Sequence, residues 1–355
     1  MNHIPLFILS FLAASSVVSA DDWKPGKPPR AIPPGMFRID PSLEVTVWAT
    51  TPQLYNPTNM DIDHAGRVWV AEGVNYRGNK GQRAAGDRIV VLQDTDGDGK
   101  ADTSEVVLHG FGTEDSHHAL SAFEWGPGGG LYFQEGTFHH SQVETPHGPV
   151  RVKNGAVFRY EPTTGKVRVH VSYAFANPWG HVFDDWGQDY VADASGGANY
   201  LGANIASRMS YDRKHRGVPS FDDKSIRPTG GCEVVSSEHL GEDLQGDYLL
   251  TNVITLRGIR QHGLSDAGSG IKGSFERDLL VSDDPLFRPC DIQVGPDGAL
   301  WFVDWYNPLI GHMQHSLRDP NRDHAHGRIW RIERTGAPLS EVVDVSGMSA
   351  GELCT

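Results

Sequence analysis

The chain has 355 residues and a formal net charge of −14, from 45 acidic against 31 basic side chains. That balance excludes nucleic acid and anionic membrane surfaces as natural partners. Its three cysteines stand in no CxxC or CxxCH arrangement, which excludes a c-type haem attachment within the chain and a cysteine-rich zinc site.

The first twenty residues, MNHIPLFILSFLAASSVVSA, are apolar from Ile4 to Val18 and end in the small-residue run Val18-Ser19-Ala20. They predict a secretory signal over residues 1–20, although no Lys or Arg precedes the apolar run. The run is short for a bilayer span and contains serines, so the protein is expected to be exported. Its place would be periplasmic or membrane-associated, with no integral span in the mature chain. Residues 21–36 read as a proline-rich linker, extended rather than packed. Residues 37–335 have the composition of a folded domain. Residues 336–355 read as the start of a further element, truncated at the end of a piece of a longer protein.

The stretch DTDGDGKADTSE at 94–105 has the ligand spacing of an EF-hand calcium loop. Asp94, Asp96, Asp98, Lys100, Asp102 and Glu105 stand at the ligand positions and Gly99 at the sharp turn. Its flanks, RIVVLQ and VVLHGF, are strand-like rather than helical. The loop is expected to be a calcium-binding staple between two strands, or an Asp/Gly-rich hairpin turn without an ion.

Five stretches then share one pattern: DHAGRVWVAE, GPGGGLYFQE, DDWGQDYVAD, DLQGDYLLTN and GPDGALWFVD. Each has a turn glycine followed by an alternating strand. The glycines are Gly66, Gly129, Gly187, Gly246 and Gly298, spaced by 63, 58, 59 and 52 residues. Strand repeats of this length without amphipathic helices predict an all-β fold, a β-propeller of four-stranded blades. In the first repeat the strands are read near 58–63, 67–71, 88–93 and 105–109. The last repeat lacks an obvious fourth strand, and LEVTVWATT at 43–51 is expected to fill it and close the ring. Five repeats are countable.

Six residues after each glycine stands Glu72, Glu135, Asp193, Asn252 or Asp304. These strand ends would meet at one rim. There they either hydrogen-bond neighbouring backbone or form a polar ring for a metal, cofactor or sugar. Rim loops also carry His117, His118, His139, His140, His181, His312 and His315, and converging imidazoles can bind a transition metal. An axial site from Glu72, Glu135, Asp193, Asp304, His181 and His312 is one expectation. The calcium loop would lie at the opposite face. In SLRDPNRDHAHGRIW, opposite charges at high density predict an ion-pair network over the rim. Cys232 and Cys290 begin equivalent strands, so a disulfide is one option, although neighbouring inner strands can stand too far apart.

FRPCDIQVGPDGALWFVDWYNPLIGHMQHSLRDPNRDHAHGRIWRI, NPWGHVFDDWGQDYVADASGGANY and HHALSAFEWGPGGGLYFQEG resemble the propeller of the large membrane-bound dehydrogenases of planctomycete-type bacteria. These are relatives of the glucose/sorbosone dehydrogenases, and the resemblance covers about residues 40–335. In that family helical repeats and a CxxCH haem module commonly follow the propeller. The resemblance therefore implies a cytochrome c-type electron acceptor or a fused haem module as partner. The soluble sugar dehydrogenases of the superfamily are six-bladed and use pyrroloquinoline quinone with calcium, which implies six blades here. Their catalytic histidine matches His118. Their Arg-Asn pair falls on Ala176 and Asn177, so only the Asn is kept. Their RxRD motif falls on Arg288-Pro289-Cys290-Asp291, so one Arg is replaced by Cys. Their cofactor-contacting Lys has no match.

The chemistry so implied has His118 as general base and Arg288 polarising the cofactor or holding its acid group. Asn177, Arg288 and Asp291 would bind the cofactor, and the quinone would accept the hydride. The function expected is oxidation of a sugar, alcohol or aldehyde. One alternative is a metal-dependent, lactonase-like propeller hydrolase. The other is a non-catalytic glycan-binding propeller, presenting Trp179, Trp305, Tyr76, Tyr200 and Tyr306 to sugar faces.

Overall fold

The computed structural model describes residues 27–354 apart from 28–29, 34, 64, 76–82, 84–85, 112–120, 138, 203–208, 217, 225, 312–314, 317, 344 and 346. Five β-sheets stand around one axis as blades of a propeller. Blade 1 is β3 (Pro57–Ile62), β4 (Val68–Glu72), β5 (Asp87–Gln93) and β6 (Thr103–Phe111). Blade 2 is β7 (Ser121–Trp125), β8 (Leu131–Glu135), β11 (Ala156–Glu161) and β12 (Lys166–Val171). A separate hairpin of β9 (His140–Val143) and β10 (Val150–Lys153) rises from it. Blade 3 keeps three strands among the described residues: β13 (Pro178–Phe183), β14 (Asp189–Asp193) and β15 (Ala198–Leu201). Blade 4 is β16 (Thr229–Val234), β17 (Tyr248–Asn252), β18 (Gly258–Ala267) and β19 (Gly270–Ser282), with β1 (Phe37–Ile39) added at its edge. Blade 5 is β20 (Pro289–Val294), β21 (Leu300–Asp304), β22 (Arg328–Arg334) and β2 (Leu43–Thr50).

The inner strands pack in a cycle: β3 on β7, β7 on β13, β13 on β16, β16 on β20, and β20 back on β3. The ring therefore closes with five blades among the described residues, not with the six that the family resemblance implied. The N-terminal strand fills the last blade as expected, pairing antiparallel with β22 from Leu43↔Arg334 to Thr50↔Arg328. It supplies the hydrogen bonds that β22 would otherwise leave open at an edge.

The turn glycines that mark the repeat all adopt φ between +69° and +81°, at Gly66, Gly129, Gly187, Gly246 and Gly298. Only glycine enters that region without steric cost, which is why the repeat is punctuated there. Core clusters fill the seams between blades. Trp48, Leu54, Val70 and Trp301 pack between blades 5 and 1, and Leu249, Phe287, Ile292 and Trp330 between blades 4 and 5. With these seams filled by apolar side chains, the polar residues that remain inside become informative. Cys232 and Cys290 are both buried free thiols, so no disulfide joins them.

The acidic loop joins β5 to β6 at the outer part of blade 1, with Asp96, Asp98 and Asp102 exposed and Asp94 half-buried. It is pinned to blade 5: Ala101 N donates to Trp48 O at 2.9 Å, and Ser104 Oγ to Gln53 O at 2.7 Å.

Candidate functional site

Four of the five strand-end residues turn back onto the backbone of their own rim loops. Glu72 Oε1 accepts from Tyr55 N at 2.9 Å. Its Oε2 pairs with Arg83 at 2.8 Å and Arg88 at 2.6 Å, all three side chains being buried. Asp193 accepts from Ala176 N and Asn177 N, both at 2.7 Å. Asn252 Oδ1 accepts from Leu256 N at 2.7 Å, and its Nδ2 donates to Pro228 O at 2.8 Å. Asp304 Oδ1 accepts from Arg288 N at 2.9 Å and Tyr306 N at 3.0 Å. The last bond holds Tyr306 at φ +56°, a left-handed conformation that a bulky residue rarely adopts. These side chains are latches, and the expected ring of Glu72, Glu135, Asp193 and Asp304 does not converge on one point. Among the described residues only two groups of three His, Cys, Asp or Glu bring ligand atoms within 4.8 Å of one another, and neither includes these four.

The axis is occupied by protein. Trp179 on β13 reaches past blade 4 and donates its indole N–H to Cys290 O on β20 at 3.2 Å. Blade 4 makes room with Gly230 and Gly231. A Cβ at Gly230 would lie 2.6 Å from Cys290 O, and one at Gly231 would lie 2.1 Å from Asp291 Oδ1. Beyond the indole comes a level set by register. Asp61, Glu124, Glu233 and Gln293 pair with residues three places before their blade's rim residue, as does Val182. Asp291 sits two residues nearer the rim on β20. It accepts from Asn59 Nδ2 at 2.6 Å and Met60 N at 2.9 Å, joining blade 5 to blade 1. Glu233 Oε2 accepts from Val294 N at 2.9 Å, joining blade 4 to blade 5.

No basic side chain is among the influences on Asp61, Glu124, Glu233 or Asp291, and burial dominates. It pushes Asp61 up to about 6, and Glu233 and Asp291 up to about 8. Glu124 is raised well above the usual carboxylate range by burial, then by the charges of Glu233, Asp61 and Asp291. Glu124 is half-buried as a residue, and desolvation is the largest cause of its shift. This layer could have been found in the sequence. Asp61, Glu124 and Gln293 each stand five residues before a turn glycine, whereas blade 4's longer hairpin puts Glu233 thirteen before its own.

Glu135 is the exception among the strand-end residues. Ser141 Oγ, on the β9–β10 hairpin, donates to its Oε2 at 2.6 Å. Its Oε1 is buried without a partner among the described residues. The segment between β15 and β16 returns over blade 2, where His215 N donates to Ser172 O at 2.9 Å. That return delivers Lys214, whose ammonium donates to Gly155 O. Burial lowers Lys214 to about 8, opposed by the charge of Glu135. Burial raises Glu135, opposed by the Ser141 hydrogen bond and by the charges of His139 and Lys214. In the loop before β13, Asn177 has its Oδ1 buried and without a partner among the described residues. Thr137 Oγ1 bonds Ala176 O at 3.0 Å and draws that loop toward blade 2. A carboxylate and an amine whose proton affinities have moved toward each other can exchange a proton near neutral pH. Sequence reading missed Lys214 because its segment lies outside the repeat.

His118 and His312, like His117, lie outside the described residues. Arg288 is 6% exposed and donates to Val253 O (3.1 Å), Phe287 O (3.3 Å) and Pro308 O (3.1 Å). Its guanidinium is thus engaged with backbone. Asp291 bonds Asn59 and Met60 of blade 1, and Asn177 donates its backbone N–H to Asp193 Oδ1 within blade 3. His181 turns away from the axis into the seam between blades 2 and 3. There its Nε2 lies 3.2 Å from Asp189 Oδ2, beside His170 Nε2 at 2.7 Å from the same oxygen. In the acidic loop Asp94, Asp96 and Asp102 converge, and Asp98 and Glu105 do not join them. Asp94 accepts from Gly97 N and Gly99 N, and Asp98 from Lys100 N. Trp305 and Tyr306 are 3% and 2% exposed, so neither presents a face to a glycan. Tyr76 lies outside the described residues.

A family model described as "Domain of unknown function (DUF7133)" matches residues 34–107, 89–220 and 207–336. No curated protein sequence matches the chain. Among solved structures, the holo PQQ domain of pyranose dehydrogenase from Coprinopsis cinerea aligns with a TM-score of 0.48 at 12% identity, covering 88% of this chain and 99% of that one. The PQQ-bound aldose sugar dehydrogenase of Streptomyces coelicolor aligns with 0.41 at 14% identity, covering 83% and 99%. A Thermus thermophilus oxidoreductase described as a glucose dehydrogenase aligns with 0.45 at 14% identity, covering 82% and 99%. At such identities none of these transfers a residue role to this chain. No helix among the described residues is long and apolar enough to cross a membrane.

Proposed function

We propose that this chain, which belongs to the DUF7133 family, is an exported propeller enzyme that takes the hydroxyl proton of a sugar, alcohol or aldehyde hydrate at the rim of blade 2. That step is the proton-transfer half of a dehydrogenation. The observation that carries the reading is Lys214, brought from outside the repeat to stand beside Glu135 with its ammonium lowered to about 8. A neutral amine accepts the substrate proton, and the buried carboxylate Glu135 takes it onward. Asn177 orients the substrate through its unpartnered amide oxygen.

Oxidation also needs a hydride acceptor, and the described residues do not fit pyrroloquinoline quinone in the pose the family resemblance implies. The quinone carries three carboxylates that call for cations. Arg288 is engaged with three carbonyls, and Ala176 and Cys290 carry no charge. No step is therefore routed through that cofactor. The two-electron acceptor would be a soluble quinone or dye, with a cytochrome c-type partner or fused haem module receiving the electrons afterwards. The same misfit favours a second reading, in which the Lys214–Glu135 pair activates water against a sugar lactone and no acceptor is needed.

Purified protein assayed for dye-linked oxidation of aldoses and alcohols, and separately for lactone hydrolysis, distinguishes the two readings. With either activity, kcat/KM is expected to rise with pH through about 8 and then level. Lys214→Met should remove that limb and lower the rate about 100-fold or more with the fold intact. Turnover that survives Lys214→Met and disappears in His118→Ala would move the base to His118. Absence of both activities would end the enzymatic reading.

A further inference from the structure

A second chemical cluster lies in the seam between blades 2 and 3, away from the rim residues assigned above. His170 is the last residue but one of β12, His181 is central in β13, and Asp189 begins β14. Their relative exposures are 3%, 3% and 0%. Both Nε2 atoms point at the same Asp189 oxygen, at 2.7 and 3.2 Å. All three ligand atoms lie within 4.8 Å of one another. Tyr132 and Phe183 wall the site, with ring centroids 5.3 and 4.9 Å from that of His181. The Asp189 carboxylate fills a cradle left by Gly202, where a Cβ would come within 2.2 Å of Oδ2.

Charge is what the cluster lacks. Among the described residues Asp189 has no Arg or Lys ion-pair partner, only the two imidazoles. Its Oδ1 and the Nδ1 of His181 are buried without hydrogen-bond partners there. A carboxylate this deep is stable only when paired with a cation or with several donors. Either tautomer leaves His181 Nδ1 without a partner, so the group at Nε2 decides which nitrogen carries the proton. Two imidazole nitrogens and one carboxylate oxygen, walled by aromatic rings, form the donor set of a borderline transition metal rather than of calcium.

We propose that His170, His181 and Asp189 hold a divalent transition ion of the zinc class, with a solvent-derived fourth ligand, which staples blade 2 to blade 3. The ion supplies the positive charge and replaces protons on the two Nε2 atoms. It is not the axial metal that the strand-end acids suggested, because Glu72, Asp193 and Asp304 bind rim backbone and Glu135 binds Ser141 Oγ.

The test uses the full chain, stripped of metal, loaded with Zn²⁺ or Co²⁺ and desalted. One ion per chain is expected, and the cobalt form should show the visible absorption of a four-coordinate nitrogen and oxygen site. Asp189→Asn and His170→Gln should each lose the ion and the cobalt band. Asp94→Asn with Asp96→Asn should keep both, which separates this site from the acidic loop. If the seam variants fail to fold, chelator titration of the wild-type chain gives the same answer: removing the ion should lower Tm, and Zn²⁺ should restore it. The proposal is overturned if the loaded wild-type chain retains no ion, if Asp189→Asn retains it equally, or if chelation leaves Tm unchanged.

Discussion

Arg288 stands one residue before the inner strand of blade 5, and its guanidinium bonds three backbone carbonyls in loops that no ladder satisfies. Arg288→Met would leave those carbonyls buried without donors. The expected loss of stability is about 2–4 kcal/mol, measurable as a lower denaturant midpoint. An arginine kept for a cofactor would behave oppositely, losing activity while the midpoint stayed put. The residue was visible in the sequence as the survivor of a two-arginine motif, but its partners were not, because backbone carbonyls leave no mark in a sequence. The same holds for Glu72, Asp193, Asn252 and Asp304. Counting from the turn glycine fixes where each one stands, whereas what it bonds depends on loop backbone that folds back only in three dimensions. Lys214 was hidden for a different reason: it lies in a segment that breaks the repeat, so no periodicity led to it.

At the scale of the strands, the inner five carry a conflict that the rest of the ring must hold. Asp61, Glu124, Glu233 and Asp291 share one channel without a basic neighbour, and burial raises all four. In the unfolded chain these carboxyls titrate near about 4. The native state therefore binds more protons than the unfolded state above that pH. Stability from these groups is fully present below about 4, and is lost as pH rises through about 6 for Asp61 and about 8 for Glu233 and Asp291. Tm is thus expected to fall between pH 5 and pH 8.5, by scanning calorimetry at constant ionic strength. Asp61→Asn should raise Tm at pH 8 and change it little at pH 5. A Tm that climbs over that range, or an Asp61→Asn variant that loses stability at pH 8, would show that the channel acids are compensated by a cation.

Over the whole molecule, blade number governs what the axis can do. Five repeats could be counted from the glycines, and the sixth blade came only from family resemblance. Ring closure decides the number, and here the inner strand of blade 5 already packs against that of blade 1. Five inner strands enclose a channel that one indole and a layer of carboxyls can fill, which is why the proposed chemistry lies off the axis, at the rim of blade 2. Trp179 is the plug that makes this arrangement testable. Its indole covers the channel near Asp291 and bonds Cys290 O. Trp179→Ala would remove that cover and admit water to the carboxyls below. Because Trp179 is half-buried, the cost should be below the about 3–5 kcal/mol of a fully buried aromatic truncation. Hydration should also lower the proton affinity of Asp291 and its neighbours, since burial is the main cause of their shift. The decline of Tm with pH should therefore be shallower in Trp179→Ala than in the wild-type chain, even though the variant is less stable at every pH. Equal slopes in the two proteins would mean that the indole does not seal the channel, and that the acids owe their shifts to the blades alone.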